Sequence, residues 1–358
     1  MSNLVVCFKQ VPVEQYLIDR VKAAWSGVDI INVGQDRVGD ALLEADYFCG
    51  HAKVPVNWDN IVKKNRLKWI QSSAAGMDWC LVPEVIESDI TITTCSGVLA
   101  DQVAEHTLAL ILSWMRSLPL FLKEQSDKST PDYRRFLRHP TRDLTDAAVG
   151  IIGFGGVGRR LAEVLAAFRT KTLAVDLFPT EKTKFVSELL PPEKLDEVLP
   201  LCDVVILCLP LNSQTRGMFN AEKFALMRPN APFVNVARGG LVNTDDLVAA
   251  LKTKQIAGAV ADVTSPEPLP SEHPLWDFPN VIITPHVAGQ FHRRFDDVVD
   301  IFSANVKRFK AGEPLINYLT EEGKRHGFPI RQSGFPLWID VKQEYTTAGR
   351  SNEQRHAE

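Results

Sequence analysis

The sequence predicts an α/β protein built from two doubly wound, parallel-sheet domains. Short apolar runs alternate with helical stretches over the first hundred residues, and a second, stronger alternation begins at Val149. Alternation of this kind places helices on both faces of a parallel sheet. The length of 358 residues also exceeds that of one ordinary domain. Two domains of the same class therefore account for the chain.

The first domain is predicted from five short runs that are rich in apolar, β-branched and aromatic residues. These candidate strands are Leu4–Phe8, Asp29–Val33, Tyr47–Gly50, Leu67–Ser73 and Ile90–Thr94. Helical spacing of apolar residues occurs between them, at Glu14–Trp25 and Trp58–Asn65. A further helix, Ala100–Leu118, is apolar almost all round and is predicted to be buried. The polar, basic stretch after it, Lys123–Asp146, is predicted to be a connection or arm.

The second domain is predicted from six apolar runs with helices between them. The candidate strands are Val149–Phe154, Thr172–Asp176, Val204–Leu209, Phe233–Ala237, Gly258–Val263 and Val281–Thr284. The candidate helices are Val157–Arg169, Ala221–Met227 and Thr244–Lys252. A run such as "VVILCL" is apolar on both faces, as a parallel strand covered by helices must be.

A last long helix, Phe291–Lys310, is placed to return to the first domain. We therefore assign residues 1–98 and 291–319 to the first domain and residues 99–290 to the second. Residues 320–358 form a charged C-terminal extension with scattered aromatic residues. Its last dozen residues are predicted to be disordered.

Composition and charge exclude several classes of function. The formal net charge of −4 provides no electrostatic basis for binding nucleic acid or an anionic membrane surface. The first residues lack the pattern of a signal peptide, and no apolar run is long enough to span a membrane. The six cysteines form neither a C-x-x-C pair nor a zinc-ligand spacing. We therefore expect a cytoplasmic protein without a metal site.

One glycine-rich segment has the context of a dinucleotide-binding loop. Gly153, Gly155 and Gly158 follow a predicted strand and open a predicted helix in "VGIIGFGGVGRRLAEVL". In a Rossmann fold the first glycine permits a tight turn, the second lets the backbone approach a pyrophosphate, and the third lets the helix pack on the strand. The helix N-terminus supplies N–H groups and a positive dipole to the phosphates.

The nucleotide itself is predicted from Asp176, which ends the next strand about 20 residues beyond the loop. A carboxylate there accepts hydrogen bonds from the ribose hydroxyls of NAD and repels the 2′-phosphate of NADP. The residues that follow, Leu177, Phe178 and Pro179, include no arginine to receive that phosphate. The sequence therefore predicts NAD as the cofactor.

Polar side chains are also predicted at the carboxyl ends of three later strands. Arg238 follows "FVNVA", Asp262 and Glu267 lie in "GAVADVTSPEP", and His286 follows "VIITP". Because ligands of a parallel sheet lie beyond the carboxyl ends of its strands, we expect these residues on the same rim as the glycine loop.

The three residue types suit hydride transfer between a nicotinamide and a hydroxy acid. The reaction needs a group that removes or delivers the hydroxyl proton, and histidine is a usual residue for this task, so His286 is the candidate. A carboxylate beside it, Glu267, would orient the ring and favour the imidazolium. Arg238 offers a planar fork for the substrate carboxylate.

On these motifs the chain resembles the D-isomer-specific 2-hydroxyacid dehydrogenase family. The resemblance covers most of Leu67–Gly289. It is carried by "WIQSSAAGMD", "GVLADQVAEHTLALIL", "GIIGFGGVGRRLAEVLAAF", "LCLPLNSQTRGMFN", "FVNVARGGLVNTDDLVAAL", "IAGAVADVTSPEPLPSEHPLW" and "NVIITPHVAG".

The resemblance implies a Rossmann NAD-binding domain and a flavodoxin-like substrate domain around a cleft, usually in a homodimer. It implies interconversion of a small D-2-hydroxy acid and its 2-keto acid by a catalytic trio of Arg238, Glu267 and His286. A substrate-carboxylate loop is implied at Ala75, Gly76 and Met77. Besides the three glycines, the implied cofactor contacts are Gly156, Val157, Asp176, Leu209, Val236, Ala237, Asp262 and Gly289.

Two alternatives use the same fold. An NAD-sensing interaction protein, like the corepressors that share this fold, keeps the same trio, so only turnover separates it from the enzyme. A formate-dehydrogenase-like reaction is disfavoured because that subgroup lacks the Glu–His pairing that Glu267 provides. The segment "SSAAGMDW" resembles the glyoxylate/hydroxypyruvate-reductase-like branch, which sets the substrate that we expect.

Overall fold

The structure is a computed structural model that describes residues 2–126, 141–179, 182–330, 334 and 336–345. The chain forms two compact units. Unit 1 comprises the residues up to Leu99 together with those from Phe291 onward, and unit 2 comprises Ala100–Gln290. Part of the predicted arm (residues 127–140) and the last dozen residues, for which the sequence predicts disorder, lie outside the described residues.

A five-stranded parallel sheet forms the centre of unit 1. Its strands are β1 (Ser2–Cys7), β2 (Val28–Asn32), β3 (Tyr47–Gly50), β4 (Trp69–Ser72) and β5 (Thr91–Thr93). The spatial order β2-β1-β3-β4-β5 is the flavodoxin-like order. Leu4 and Val6 of β1 enter the core on one face of the sheet, and Val5 and Cys7 enter the core on the other. The helices of this part are α1 (Gln15–Ala24), α2 (Val38–Leu42), α3 (Trp58–Lys64) and α4 (Pro83–Ile86).

Unit 2 begins with two helices where the sequence predicts one. Helix α5 (Ala100–Met115) ends before the predicted Leu118, and α6 (Leu118–Ser126) starts at that residue. Pro119 explains the break, because in a continuous helix it has no N–H to donate and its ring clashes with the carbonyl four residues earlier. The predicted helix is therefore confirmed over Ala100–Met115, whereas α6 is not among the predicted helices and extends into the stretch from Lys123 that is predicted to be a connection or arm.

A seven-stranded parallel sheet forms the centre of unit 2. Its strands are β6 (Ala148–Ile152), β7 (Lys171–Val175), β8 (Glu188–Leu190), β9 (Val204–Leu207), β10 (Pro232–Asn235), β11 (Gly258–Ala261) and β12 (Val281–Ile283). The order β12-β11-β10-β9-β6-β7-β8 contains the Rossmann arrangement, with the chain reversing direction across the sheet at β6. The helices are α7 (Gly156–Leu165), α8 (Leu195–Val198), α9 (Ala221–Leu226) and α10 (Thr244–Lys252).

Both faces of this sheet are buried, as the apolar runs predict. In β9, Val204 and Ile206 pack into one core, and Val205 and Leu207 pack into the other. The edge strand β8 is not among the predicted strands, because three residues carry too little pattern to be recognised. The predicted fold class, two doubly wound parallel sheets, is confirmed.

The chain returns to unit 1 through α11 (Arg294–Ala311), which is followed by α12 (Glu321–His326) and α13 (Trp338–Tyr345). Arg20 of α1 pairs with Asp296 (2.5 Å) and Asp300 (2.6 Å) of α11. The indole of Trp338 is only 3% exposed and lies in the same core as Leu4 of β1. The described part of the C-terminal extension is therefore packed on unit 1.

Two further observations concern the described residues only. None of their helices is long and apolar enough to cross a membrane. All six cysteines are unpaired, and burial raises the pKa of their thiols, to about 12 for Cys208. Such thiols are poor nucleophiles at neutral pH.

Candidate active site

The glycine loop joins β6 to α7 in a tight turn. Gly153 has a φ of +98°, and a Cβ added there would lie 2.7 Å from the carbonyl carbon of Cys208. A Cβ on Gly158 would lie 2.2 Å from the carbonyl oxygen of Gly153, so only glycine lets α7 approach the turn this closely. Gly155 differs, because a Cβ there would meet no heavy atom of the protein within 4 Å. The open side of the loop is therefore at Gly155, where α7 begins.

Asp176 follows β7 and lies beside this loop. Its Oδ2 accepts the N–H of Phe154 within the loop (2.6 Å), and its Oδ1 accepts the N–H of Phe178 (2.9 Å). A carboxylate has about four lone-pair positions, so these two bonds leave acceptor capacity for a ligand. The next residue, Leu177, is 41% exposed.

The other predicted cofactor residues also follow carboxyl ends of strands in unit 2. Gly156 and Val157 open α7, Leu209 follows β9, and Val236 and Ala237 follow β10. Asp262 follows β11, and Gly289 lies in the segment after β12. The fold thus collects these residues at one edge of the sheet, which is where ligands of such sheets bind. Their individual contacts with a cofactor stay predictions.

His286 and Glu267 form a direct pair. Nδ1 of His286 lies 2.7 Å from Oε1 of Glu267, and the two side chains are 45% and 42% exposed. Burial by itself would raise the pKa of the Glu267 carboxyl. This effect is outweighed by the hydrogen bond and charge of His286, by the Thr264 amide and by the charge of Arg238. The pKa of Glu267 is therefore lowered, and the carboxylate is favoured beside the imidazole.

Arg238 follows β10, and its guanidinium donates to the carbonyl of Ala237 (2.8 Å). Its backbone is held by Asn235, whose Nδ2 donates to the Arg238 carbonyl (2.9 Å) and whose Oδ1 accepts the Ala237 N–H (3.1 Å). Asn235 is not among the residues predicted from the sequence, although a polar residue within an apolar strand is a usable signal. Because it is buried, its polar atoms need partners.

Asp262 lies beneath the segment that carries His286. Its carboxylate, only 1% exposed, accepts the Thr284 hydroxyl (2.6 Å) and the N–H groups of Val287 (2.9 Å) and Ala288 (2.9 Å). The N–H of His286 donates to the Asp262 carbonyl (2.8 Å). Thr284 and His106 are not among the residues predicted from the sequence; they reach this carboxylate from just past the end of β12 and from α5.

The predicted substrate-carboxylate loop lies in unit 1, after β4. The carbonyl of Ala74 accepts the Cys95 N–H (3.0 Å), which joins the start of the loop to the end of β5. Ala75 is exposed and Gly76 half-buried. The side chain of Met77 is buried in the core, so only its backbone is available for a ligand. The predicted role of these residues stays a prediction.

Among the described residues, no group of three or more His, Cys, Asp or Glu side chains is arranged to hold a metal ion.

The chain is similar in sequence to known proteins. The profile described as "D-isomer specific 2-hydroxyacid dehydrogenase, NAD binding domain" matches residues 108–288. A glyoxylate reductase of Thermofilum pendens is 34% identical over 254 residues, which are 69% of this chain and 73% of that protein. The human glyoxylate reductase/hydroxypyruvate reductase is 32% identical over 257 residues, 70% of this chain and 76% of that protein.

A solved structure also matches. The D-isomer specific 2-hydroxyacid dehydrogenase of Xanthobacter autotrophicus Py2, crystallised with NADPH and MES, superposes with a TM-score of 0.74 at 28% identity. The match covers 90% of this chain and 100% of that one. The two parallel sheets, the glycine loop and these similarities lead to one conclusion: the chain belongs to the D-isomer-specific 2-hydroxyacid dehydrogenase family.

Proposed function

We propose that this protein is an NAD(H)-dependent oxidoreductase that interconverts a small D-2-hydroxy acid and its 2-keto acid. The observation that carries the proposal is the Glu267–His286 pair, 2.7 Å between Oε1 and Nδ1, in the segments that follow β11 and β12. The glycine loop and Arg238 also follow strands of this sheet, on the side where ligands of such sheets bind. A proton donor, an anion-binding guanidinium and a dinucleotide-binding loop are the parts that such a reaction needs.

The residues present fit a nicotinamide dinucleotide. The open side of Gly155 leaves room for a pyrophosphate to approach the first N–H groups of α7. The free lone pairs of Asp176 suit two ribose hydroxyls, and its negative charge disfavours a 2′-phosphate. The relative crystallised with NADPH is only 28% identical, so its cofactor does not decide that of this chain. We therefore propose NAD(H) on the basis of Asp176 and the apolar Leu177.

Each member of the trio has one proposed task. Arg238 binds the substrate carboxylate through its planar guanidinium and polarises the keto group. His286, whose Nδ1 is occupied by Glu267, delivers a proton from Nε2 to the keto oxygen in reduction and removes it in oxidation. Glu267 stabilises the imidazolium and orients the ring. The nicotinamide, when bound, supplies or accepts the hydride.

A glyoxylate- or hydroxypyruvate-like substrate is proposed from two sources. The segment "SSAAGMDW" resembles that branch of the family, and the two relatives described above are a glyoxylate reductase and a glyoxylate reductase/hydroxypyruvate reductase. The presence of Glu267 argues against a formate-dehydrogenase-like reaction. We further propose a cytoplasmic homodimer, as the family resemblance implies, and sedimentation velocity would measure its mass.

The test is an NADH-oxidation screen with glyoxylate, hydroxypyruvate, pyruvate, phenylpyruvate and 3-phosphohydroxypyruvate. Turnover is expected with glyoxylate or hydroxypyruvate, and His286→Ala should abolish most of it. If NADH binds but none of the five acids is reduced, the dehydrogenase proposal fails. The cofactor-sensing interaction protein would then be the better interpretation.

A further inference from the structure

We propose that His106 and Thr284 are positioning residues that hold the segment carrying His286 in its active conformation. This inference rests on the proposed function of His286 and goes beyond it, because neither residue belongs to the trio or to the predicted cofactor contacts. His106 lies on α5, far from the trio in sequence, and Thr284 lies just past the end of β12.

The hydrogen bonds of Asp262 hold the segment that carries His286. The buried Asp262 carboxylate accepts one hydroxyl and two backbone N–H groups, from Thr284, Val287 and Ala288. These donors lie on both sides of His286 in sequence. A single carboxylate therefore fixes the backbone before and after the proposed general acid/base.

These bonds maintain an uncommon backbone conformation at His286. His286 has a φ of 56°, in the left-handed region that residues with a Cβ adopt uncommonly. Such a conformation persists only where surrounding contacts over-determine it. The bonds to Asp262 supply these contacts, together with the hydrogen bonds from the His286 N–H to the carbonyls of Asp262 (2.8 Å) and Thr284 (3.0 Å).

The hydroxyl of Thr284 determines which atoms donate in this network. The Thr284 hydroxyl has one proton, which it donates to Oδ1 of Asp262 at 2.6 Å. Its oxygen must therefore accept from Nε2 of His106, 3.1 Å away. This assigns the hydrogen of the His106 ring to Nε2. The same nitrogen lies 3.5 Å from Oδ1 of Asp262, so His106 closes the network from the side of α5.

The same bonds hold one end of strand β12. Strand β12 lies at the edge of the sheet, with β11 as its one neighbour in the strand order. Helix α5 contacts it at both ends: Trp114 Nε1 donates to the Asn280 carbonyl before β12 (2.8 Å), and His106 donates to Thr284 after it. Gly258 makes room for the indole, because a Cβ there would lie 2.5 Å from Trp114 Nε1. Only the His106 end is adjacent to His286.

The two ends of β12 therefore provide a matched test in the full-length protein. Thr284→Val keeps the shape of the side chain and removes the hydroxyl, and His106→Leu removes the donor. Both changes should lower kcat about 10- to 100-fold, the scale expected for a small displacement of a catalytic group. KM for the keto acid and the affinity for NADH, measured by fluorescence titration, should change little.

Conservative replacements distinguish positioning from general destabilisation. Thr284→Ser keeps the hydroxyl, and His106→Gln places an amide donor near the position of Nε2, so both should recover most of the lost kcat. His106→Asn, which is too short to reach Thr284, should not. Trp114→Phe, which removes the bond at the far end of β12, should lower the melting temperature and leave kcat nearly unchanged.

The outcomes separate this inference from the proposed function. If wild-type protein reduces no 2-keto acid, the proposed function fails first. If the wild type is active and Thr284→Val and His106→Leu keep its kcat, the positioning inference is wrong. It is also wrong if Trp114→Phe lowers kcat as much as they do, or if their loss lies in NADH affinity rather than in kcat. If Thr284→Val does not fold, the kcat values of His106→Leu, His106→Gln and His106→Asn test the positioning inference in its place.

Discussion

At the scale of single residues, the proposed chemistry depends on how the fold changes the ordinary properties of side chains. The pKa of Glu267 lies below its usual value even though burial alone would raise it, because His286, the Thr264 amide and Arg238 favour the carboxylate. The carboxylate therefore stays ionised to a lower pH than an ordinary glutamate does. Its stabilising effect on the imidazolium is lost only below that lowered pKa.

The first prediction concerns the pH dependence of the Glu267–His286 pair. In keto-acid reduction, turnover should fall as the pH rises, because His286 must start protonated; in oxidation the dependence should invert. Glu267→Gln removes the negative charge that favours the imidazolium, so the reduction limb should move to lower pH. Activity at acid pH should remain substantial.

His286→Ala provides the comparison, with an expected loss of about 10²–10⁴-fold in turnover and little change in NADH affinity. The measurement is a pH–rate profile of both variants in both directions. An inflection that stays in place in Glu267→Gln would mean that the pair does not control the proton transfer.

The second prediction concerns Arg238. Arg238→Lys keeps the positive charge and loses the planar fork. The transition state should therefore lose about 2–4 kcal/mol of stabilisation, which is measured as a lower kcat/KM. Arg228→Lys is the matched control, because Arg228 pairs with Asp203 (2.6 Å) outside the proposed site and should leave kcat/KM unchanged. Steady-state kinetics of both variants would test this. If Arg238→Lys and Arg228→Lys have equal kcat/KM, Arg238 does not bind the substrate.

The third prediction concerns the choice of cofactor. Asp176→Ser combined with Leu177→Arg removes the repelling carboxylate and adds a phosphate ligand at an exposed position. The ratio of kcat/KM for NADPH to that for NADH should rise at least tenfold, about 1.4 kcal/mol. Leu177→Arg alone should give a smaller change because Asp176 remains. A wild-type preference for NADPH would contradict the proposed role of Asp176.

At the scale of elements, the β6–α7 turn combines two glycine requirements that differ in kind. Gly158 is required by the protein itself, because its missing Cβ allows α7 to approach the turn. Gly155 has open space where a Cβ would be and a negative φ of −76°, so the fold alone does not require a glycine there. A bound pyrophosphate would supply the reason for Gly155.

The fourth prediction follows from this contrast. Gly158→Ala should lower the melting temperature, because the added Cβ would lie 2.2 Å from the Gly153 carbonyl oxygen and α7 would have to shift. Gly155→Ala should fold with wild-type stability and bind NADH more weakly. Thermal melts and fluorescence titration measure the two effects separately. If Gly155→Ala binds NADH normally, the cofactor does not approach the loop there.

At the scale of the whole molecule, the two units use the same architectural principle with different strand orders. Each has a parallel sheet buried on both faces. The C-terminal residues complete unit 1: α11 packs against α1, and the backbone N–H of Trp338 donates to Oδ1 of Asn317 (2.9 Å) while its indole enters the core. The described part of the extension therefore contributes to the stability of unit 1.

The fifth prediction tests this contribution. Trp338→Ala should destabilise unit 1 by about 3–5 kcal/mol, the usual cost of truncating a large buried aromatic residue. Trp276→Ala, at a position that is 50% exposed in unit 2, is the control and should cost far less. Denaturant unfolding followed by tryptophan fluorescence would compare them. Similar losses in both variants would mean that Trp338 does not anchor the extension.

Much of the fold could be predicted from the sequence because the burial of one or both faces of an element determines the spacing of its apolar residues. Strand β3 and helix α10 have the predicted bounds, and the other strands of the first domain differ from prediction by a few residues at their ends. The glycine loop and Asp176 could likewise be predicted, because the strand, the tight turn and the helix that form this motif are consecutive in the chain. The edge strand β8 and the break at Pro119 escaped prediction, because three residues carry little pattern and the apolar run of α5 continues toward α6.

The sequence by itself therefore determined the fold class and the residue types of the candidate site. Arg238, Glu267 and His286 are recognisable because each follows a strand in the same sheet. Only the tertiary structure decided how they are held: Asp262, Thr284 and His106 meet because α5 lies against β11 and β12, and long separations in sequence leave no local signal of such contacts. The left-handed conformation of His286 has the same origin, because it is imposed by hydrogen bonds from elsewhere in the fold rather than by the preference of the residue itself.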